Sequence, residues 1–206
     1  MAGLNKLSGP AIPLATPNID TDVIIRIDRL AELDRGELGP YAFEAIRFDA
    51  DGNKRSDSVL NDPGYADAPI LIAGENFGCG SSREGAVWAI QERGIRCIIA
   101  PEFGGIFANN CFQNGVLTIV LPVETVDHLR AQCQPTGNAK FDIDLEAQTV
   151  TAPDGTVATF EIDALRKEGL LRGLDPVGLT QLRSAEIAAF QNQDRTNRPW
   201  IYGGFG

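Results

Sequence analysis

Short, almost uninterrupted apolar runs mark the middle of the chain. Pro69-Ile70-Leu71-Ile72-Ala73 is one, Ile95-Arg96-Cys97-Ile98-Ile99-Ala100 is another, and Val116 to Leu121 is a third. Runs this short and this rich in β-branched residues read as strands covered on both faces, the pattern of a parallel sheet. The segments between them change period. Residues 82–93 set Ala86, Val87, Ala89 and Ile90 on one helical face, and Phe103 to Phe112 and Glu124 to Gln132 also read as helices. Strand 69–73, helix 82–93 and strand 95–100 predict a βαβ unit with its turn at Gly94.

The last third switches to alternation. Phe141-Asp142-Ile143-Asp144-Leu145 alternates strictly and Val157 to Ile162 does so with one slip, with Asp154-Gly155 between them as a hairpin turn. Helices over 163–171 and 184–193 follow, and the polar then Gly-rich residues 194–206 are expected to form a disordered tail. The first third is irregular: Ile12 to Ile27 is a β-rich stretch, Tyr41 to Phe48 a short helix, and Asp49 to Asn53 a turn. A βαβ unit combined with hairpins predicts a three-layer α/β fold in one domain spanning residues 1–206, not a purely parallel sheet.

Charge and cysteine usage narrow the chemistry. A net charge of −10 argues against nucleic acid and against an anionic membrane as partners. No segment approaches the roughly 20 apolar residues that span a bilayer, and the first residues lack a signal-peptide core, so a cytoplasmic location is expected. The four cysteines, Cys79, Cys97, Cys111 and Cys133, form no CxxC pair, and His128 is the one histidine. A metal or iron–sulfur site made by this chain alone is therefore not expected.

Gly74-Glu75-Asn76-Phe77-Gly78-Cys79-Gly80-Ser81-Ser82-Arg83-Glu84-Gly85 lies at the predicted turn from strand to helix. Glycines there permit backbone angles that a Cβ forbids, and a helix start favours negative charge. Two hydroxyls and a guanidinium at that point suit an anion with a proton to lose. The common templates fail. Walker A needs a lysine, the dinucleotide fingerprint needs a glycine where Arg83 stands, and a nucleophile elbow needs a glycine where Cys79 stands. A serine triad would hang on His128 alone. A plain capping box, Ser81 with Glu84, explains two residues and leaves Ser82, Arg83 and the clustered glycines unexplained. Asp20 and Asp22, in Asp20-Thr21-Asp22, read either as an Asx turn or as site carboxylates. Arg26, Arg29 and Arg47 are further carboxylate-binding candidates, and Trp88 faces the core side of its helix.

The glycine loop resembles the signature of the aconitase superfamily's swivelling domain, in the branch where that domain is a separate small subunit. The resemblance extends through Asn18-Ile19-Asp20-Thr21-Asp22-Val23-Ile24-Ile25, Ile99-Ala100-Pro101, Phe141 to Gln148 and Gly173 to Thr180, from about residue 10 to 190. It implies a three-layer β/β/α swivelling domain and a hydro-lyase that moves water between adjacent carbons of a small dicarboxylate, foremost the isopropylmalates of leucine synthesis. It implies a large partner subunit that carries a [4Fe–4S] cluster on its own cysteines. Ser81 would be the base, Ser82 and Arg83 would hold substrate carboxylate, and Asp22 would join them, with Asp20, Arg26 and Arg47 as lesser candidates. Gly85, Arg26-Ile27, Ile46 and Glu102-Phe103-Gly104-Gly105 depart from the family pattern. They leave the reaction type standing and leave open a methylmalate- or homoaconitate-type substrate, or a paralogue that binds without turnover. A helix N-terminus and one charge-assisted hydrogen bond lower a hydroxyl's pKa by only about 3 units. The isolated chain is therefore expected to be inactive.

Overall fold

The structure, a computed structural model, describes residues 3–135 and 139–202. Its centre is a parallel four-stranded sheet, in the order β2 (Ala11–Leu14), β3 (Ile70–Ala73), β4 (Cys97–Ala100) and β5 (Leu117–Val120), after an N-terminal strand β1 (Lys6–Gly9). β3 and β4 are buried along their whole length, which is why they read as continuous apolar runs.

Register sends alternate residues to two different cores. Leu71, Ala73, Ile98 and Ala100 face helices α4 (Glu84–Glu92) and α5 (Gly105–Asn114). The helices answer with Ala86, Val87, Ala89, Ile90, Phe107 and Cys111. Ile70, Ile72, Cys97, Ile99, Leu117 and Ile119 face the other way, toward a second, antiparallel sheet. That sheet orders β1, β6 (Phe141–Asp144), β7 (Thr149–Thr151) and β8 (Val157–Thr159), and contributes Phe141, Ile143 and Val150. Fully burying each such Leu, Ile or Phe is worth about 1.5–3 kcal/mol, so a one-residue slip in β3 or β4 would exchange both cores at once. The layers run helix, parallel sheet, antiparallel sheet. Helix α6 (Val123–Ala131) also packs on the second face, through Val126 and Leu129.

Several expectations need correction. The residues after β2 do not continue as β structure: Asp20 accepts a hydrogen bond from the Val23 amide at 2.8 Å and caps a single helical turn, α1 (Thr21–Ile24). Helix α2 (Ile27–Glu32) follows, then α3 (Glu44–Arg47) within the anticipated 41–48 segment. The two alternating strands near the C-terminus do not pair with each other. β7 lies between them, and the Asp154-Gly155 turn joins β7 to β8, with Gly155 at φ +87°. After α7 (Ala164–Arg172), an additional helix α8 (Pro176–Gln181) starts on Asp175, which caps the Gly178 amide at 2.7 Å. Residues 194–202 are not disordered. Helix α9 (Ser184–Asn197) runs into α10 (Pro199–Tyr202), and buried Asp194 accepts from Arg198 Nε at 2.6 Å and Tyr202 Oη at 2.9 Å. Residues 203–206 of the proposed tail lie outside the described residues. Among the described residues no helix is long and apolar enough to cross a membrane.

Candidate active site

Three loops leave the carboxyl ends of β2, β3 and β4 and are stitched together by backbone hydrogen bonds. Asn18 N donates to Glu75 O at 2.9 Å, Gly78 N to Ile19 O at 2.7 Å, and Thr21 N to Cys79 O at 3.1 Å. On the other side Phe77 N donates to Glu102 O at 3.0 Å and Gly104 N to Phe77 O at 2.9 Å. The carboxyl edge of a parallel sheet is where open α/β folds bind ligands, because the loops from several strands meet there without obstructing the core.

The β3–α4 loop is anchored by one aromatic. Phe77 is fully buried, with the Phe107 ring edge-on at 5.5 Å between centroids and Phe103 at 6.5 Å. The chain must then turn back to the surface at once. Gly78 does so at φ +71°, and a Cβ there would run into the Phe107 ring. Only glycine satisfies both conditions.

Beyond that turn the loop presents its polar groups outward. Ser81 and Ser82 are exposed. The Ser81 carbonyl is held twice, by Thr21 Oγ1 at 3.1 Å and by the Arg83 amide at 2.9 Å. Its hydroxyl has no hydrogen-bond partner among the described residues. The backbone is thus pinned while the side chain stays available. Arg83 contacts Asp22 Oδ1 as an ion pair, with the arginine side chain 21% and the aspartate 52% exposed. The paired Nη1 is itself shielded from water and has no hydrogen-bond partner among the described residues, so Asp22, half open to solvent, is the one carboxylate that neutralises it.

The loop departs from the anticipated capping box. Helix α4 begins at Glu84 with Arg83 as N-cap and no side-chain cap, so both serines precede the first turn. The helix dipole falls off within a turn, and its help to the Ser81 hydroxyl is correspondingly smaller. Gly85 has a packing reason: a Cβ at that position would overlap Leu30 of α2, which fills the space beside the helix start.

The structure brings Ser81, Ser82, Arg83, Asp22 and Asp20 to one edge; Asp20 serves there as the cap of α1. Arg26 pairs with Asp28 at 2.8 Å and lies 3.6 Å from Glu44, which also holds Arg29 at 3.1 Å. Arg47 is not brought to this edge. It donates to the Pro40 and Ala42 carbonyls at 2.9 Å each and to Asn61 Oδ1 at 3.2 Å. Burial lowers its pKa. Sequence reasoning missed Thr21, which is 1% exposed and ties the two loops together; the acidic residues on either side drew attention away from it.

The described residues hold no group of three or more His, Cys, Asp or Glu side chains placed for a metal ion. Cys97 and Cys111 are sealed in the cores, where burial pushes their thiols well up, and burial takes Cys133 up to about 12. Cys97 and Cys111 lie in different cores, and among the described residues these thiols and Cys79 are not gathered as an iron–sulfur cluster would need.

A helix/parallel-sheet/antiparallel-sheet domain with polar loops gathered at the strand ends defines the swivelling-domain class. The family model of the aconitase C-terminal domain matches residues 1–124, and a second model, LeuD_N, matches residues 127–164. The 3-isopropylmalate dehydratase small subunit of Parvibaculum lavamentivorans is 51% identical over 201 residues, covering 98% of this chain and 100% of that protein. The protein of the same name from Dinoroseobacter shibae is 50% identical over the same coverage. The crystal structure of 3-isopropylmalate dehydratase from Methanocaldococcus jannaschii superposes with a TM-score of 0.66 at 26% identity, over 89% of this chain and 98% of that one. The chain belongs to the aconitase C-terminal-domain family, and within it to the small subunits of 3-isopropylmalate dehydratase.

Proposed function

We propose that this chain is the small subunit of a hydro-lyase that interconverts 2- and 3-isopropylmalate by removing and returning water, in leucine synthesis, and that it works only with a large subunit. The observation that carries the reading is the open edge bearing Ser81, Ser82, Arg83 and Asp22, in a chain half identical throughout to subunits of that name. The family's iron–sulfur chemistry belongs, on this reading, to the large subunit; that the described cysteines of this chain are not gathered around one point supports it.

Arg83 takes a substrate carboxylate, exchanging it for Asp22, and Ser82 donates a hydrogen bond to the same group. Ser81 Oγ, as the alkoxide, takes the proton from the carbon beside that carboxylate while hydroxide leaves the neighbouring carbon. When water adds back in the opposite sense, its hydroxide joins the first carbon and the proton goes to the second. The Ser81 backbone, held by Thr21 and the Arg83 amide, limits the hydroxyl to rotation about its own side chain. A hydroxyl exposed to water is a poor base, and the helix supplies less than a first-turn position would. Its activation therefore requires a partner to cover the edge and exclude water.

The test is Ser81→Ala in the reconstituted complex, followed by the ultraviolet absorbance of the unsaturated intermediate. Loss of a general base lowers turnover by about 10²- to 10⁴-fold, with the fold intact because the Ser81 side chain is exposed, and assembly is checked separately by size-exclusion chromatography. Wild-type turnover from that variant removes Ser81 from the mechanism. No turnover from the wild-type complex with isopropylmalate, but turnover with a methyl-substituted or longer hydroxydiacid, reassigns the substrate and keeps the reaction.

A further inference from the structure

Helix α4 carries Arg83 at its N-cap, yet no side chain of its own loop caps it. The carboxylate of Glu84, its first residue, instead meets Asn114, the last residue of α5. Asn114 is one of few buried polar residues, 7% exposed, and its amide is saturated. Nδ2 donates to Glu84 Oε1 at 2.7 Å and to the Asn110 carbonyl at 2.9 Å. Oδ1 accepts from Arg35 Nη2 at 3.1 Å and from Trp88 Nε1 at 3.1 Å. The orientation of the amide is forced, because arginine and indole only donate and an ionised carboxylate only accepts. The Arg35 guanidinium also stacks on the Trp88 ring at 4.8 Å, so the residues between α2 and α3 are bound into the same cluster.

Stability alone does not call for such a cluster. Apolar groups of the same shape would pack the junction about as well, and a buried polar group is costly once one partner is lost. What a saturated amide adds is a fixed geometry. We propose that Asn114 is a positioning residue: its hydrogen bond to Glu84 sets the first turn of α4, and with it Arg83 and the Ser81-Ser82 pair, at the placement the substrate requires. This rests on the assignment of the site to residues 81–83.

The experiment compares Asn114→Asp, Glu84→Gln and the double variant in the assembled complex, with hydrogen exchange of residues 81–86 in the isolated chain as a readout independent of turnover. Asn114→Asp keeps the acceptor for Arg35 and Trp88 but sets two carboxylates face to face. It is expected to raise KM or lower kcat by about 10- to 100-fold, the worth of one charge-assisted hydrogen bond, and to speed exchange at 81–86. Glu84→Gln stays near wild type, because its amide oxygen still accepts from Asn114. In the double variant the amide introduced at position 84 donates to the carboxylate introduced at position 114 and recovers most of the loss. If Asn114→Asp does not fold, Glu84→Ala removes the same hydrogen bond from an exposed position and is expected to show the same kinetic loss. Wild-type kcat, KM and exchange in Asn114→Asp, or in Glu84→Ala where Asn114→Asp does not fold, beside an inactive Ser81→Ala, overturn the positioning role alone. Full turnover from Ser81→Ala overturns the site assignment, and this proposal with it.

Discussion

Arg47 ends helix α3 and Arg83 precedes helix α4, and their nitrogens are engaged differently. Arg47 is held between two backbone carbonyls and Asn61, with its guanidinium over the Phe48 ring at 5.2 Å. Nothing that binds there could displace so many partners at once. Arg83 has one side-chain partner among the described residues, the half-exposed Asp22, on a loop whose backbone is fixed from both sides. A guanidinium whose counter-ion is solvated is ready for a ligand carboxylate. One bonded to carbonyls on three sides is part of the frame. The difference teaches that an arginine's role is read from what its donors already hold, and not from its exposure or its spacing.

The sharpest way to break this contrast is to weaken both arginines alike. Arg83→Lys, which loses the planar fork, is expected to raise KM for the dicarboxylate by about 10- to 100-fold with little change in stability. A KM within twofold of wild type would mean that Arg83 does not touch substrate. Arg47→Ala should do the reverse. It strips hydrogen bonds from the Pro40 and Ala42 carbonyls and is expected to cost about 2–3 kcal/mol in urea unfolding, with turnover per assembled complex unchanged. Lost turnover at unchanged stability would move Arg47 into the site.

Thiol chemistry sharpens the contrast between the strand-end edge and the sealed core. Burial takes Cys133 from 9.0 to about 12, which lowers its thiolate fraction about 10³-fold, and it pushes Cys97 and Cys111 up as well. Iodoacetamide on the native chain is therefore expected to modify Cys79, two residues before Ser81, ahead of the other three, and to suppress turnover after reassembly. Peptide mass spectrometry showing Cys97 or Cys111 labelled at the same rate would contradict the packing described.

The smallest effect concerns the C-terminal helices α9 and α10. Burial pushes the Asp194 carboxyl up, but the hydrogen bonds from Arg198 and Tyr202 and the charge of Arg198 outweigh it and leave it below its ordinary value. A carboxylate depressed in the folded state contributes its stability above the unfolded pKa, about 3.9, and loses it as pH falls through the folded one. The junction of α9 and α10 is thus expected to persist from neutral pH to about pH 4 and loosen below it, read from Trp200 emission in a Trp88→Phe chain. A transition centred near neutrality would exclude Asp194 as its cause.

Much of the parallel sheet was legible because strands buried on both faces must be apolar throughout, and Ile70 to Ala73 and Cys97 to Ala100 are. The loop motif was equally plain, since clustered glycines with two serines and an arginine stand between an apolar strand and a helix; that Phe77 anchors it in the core was decided by packing. Strand β7 was not legible. Thr149-Val150-Thr151 is too short to show a period, and it is a strand only because β6 and β8 flank it. The helical end of the chain was misread for a related reason: its order depends on Asp194, Arg198 and Tyr202 meeting across a helix break, which composition does not record.

Local rules of periodicity and glycine placement thus sufficed for much of the parallel sheet and for the Ser81-Ser82-Arg83 motif, while the chain's family was legible from the resemblance of whole segments and not from those rules. Folding in three dimensions assigned the partners: Asp22 to Arg83, backbone carbonyls to Arg47, Thr21 to Ser81, and Asn114 to Glu84 at the start of α4. The division has a physical origin. Hydrophobic period and backbone angle are written in neighbouring residues, whereas the contacts of Ser81, Arg83 and Glu84 join segments 30 to 61 residues apart in sequence and exist only once the loops have met.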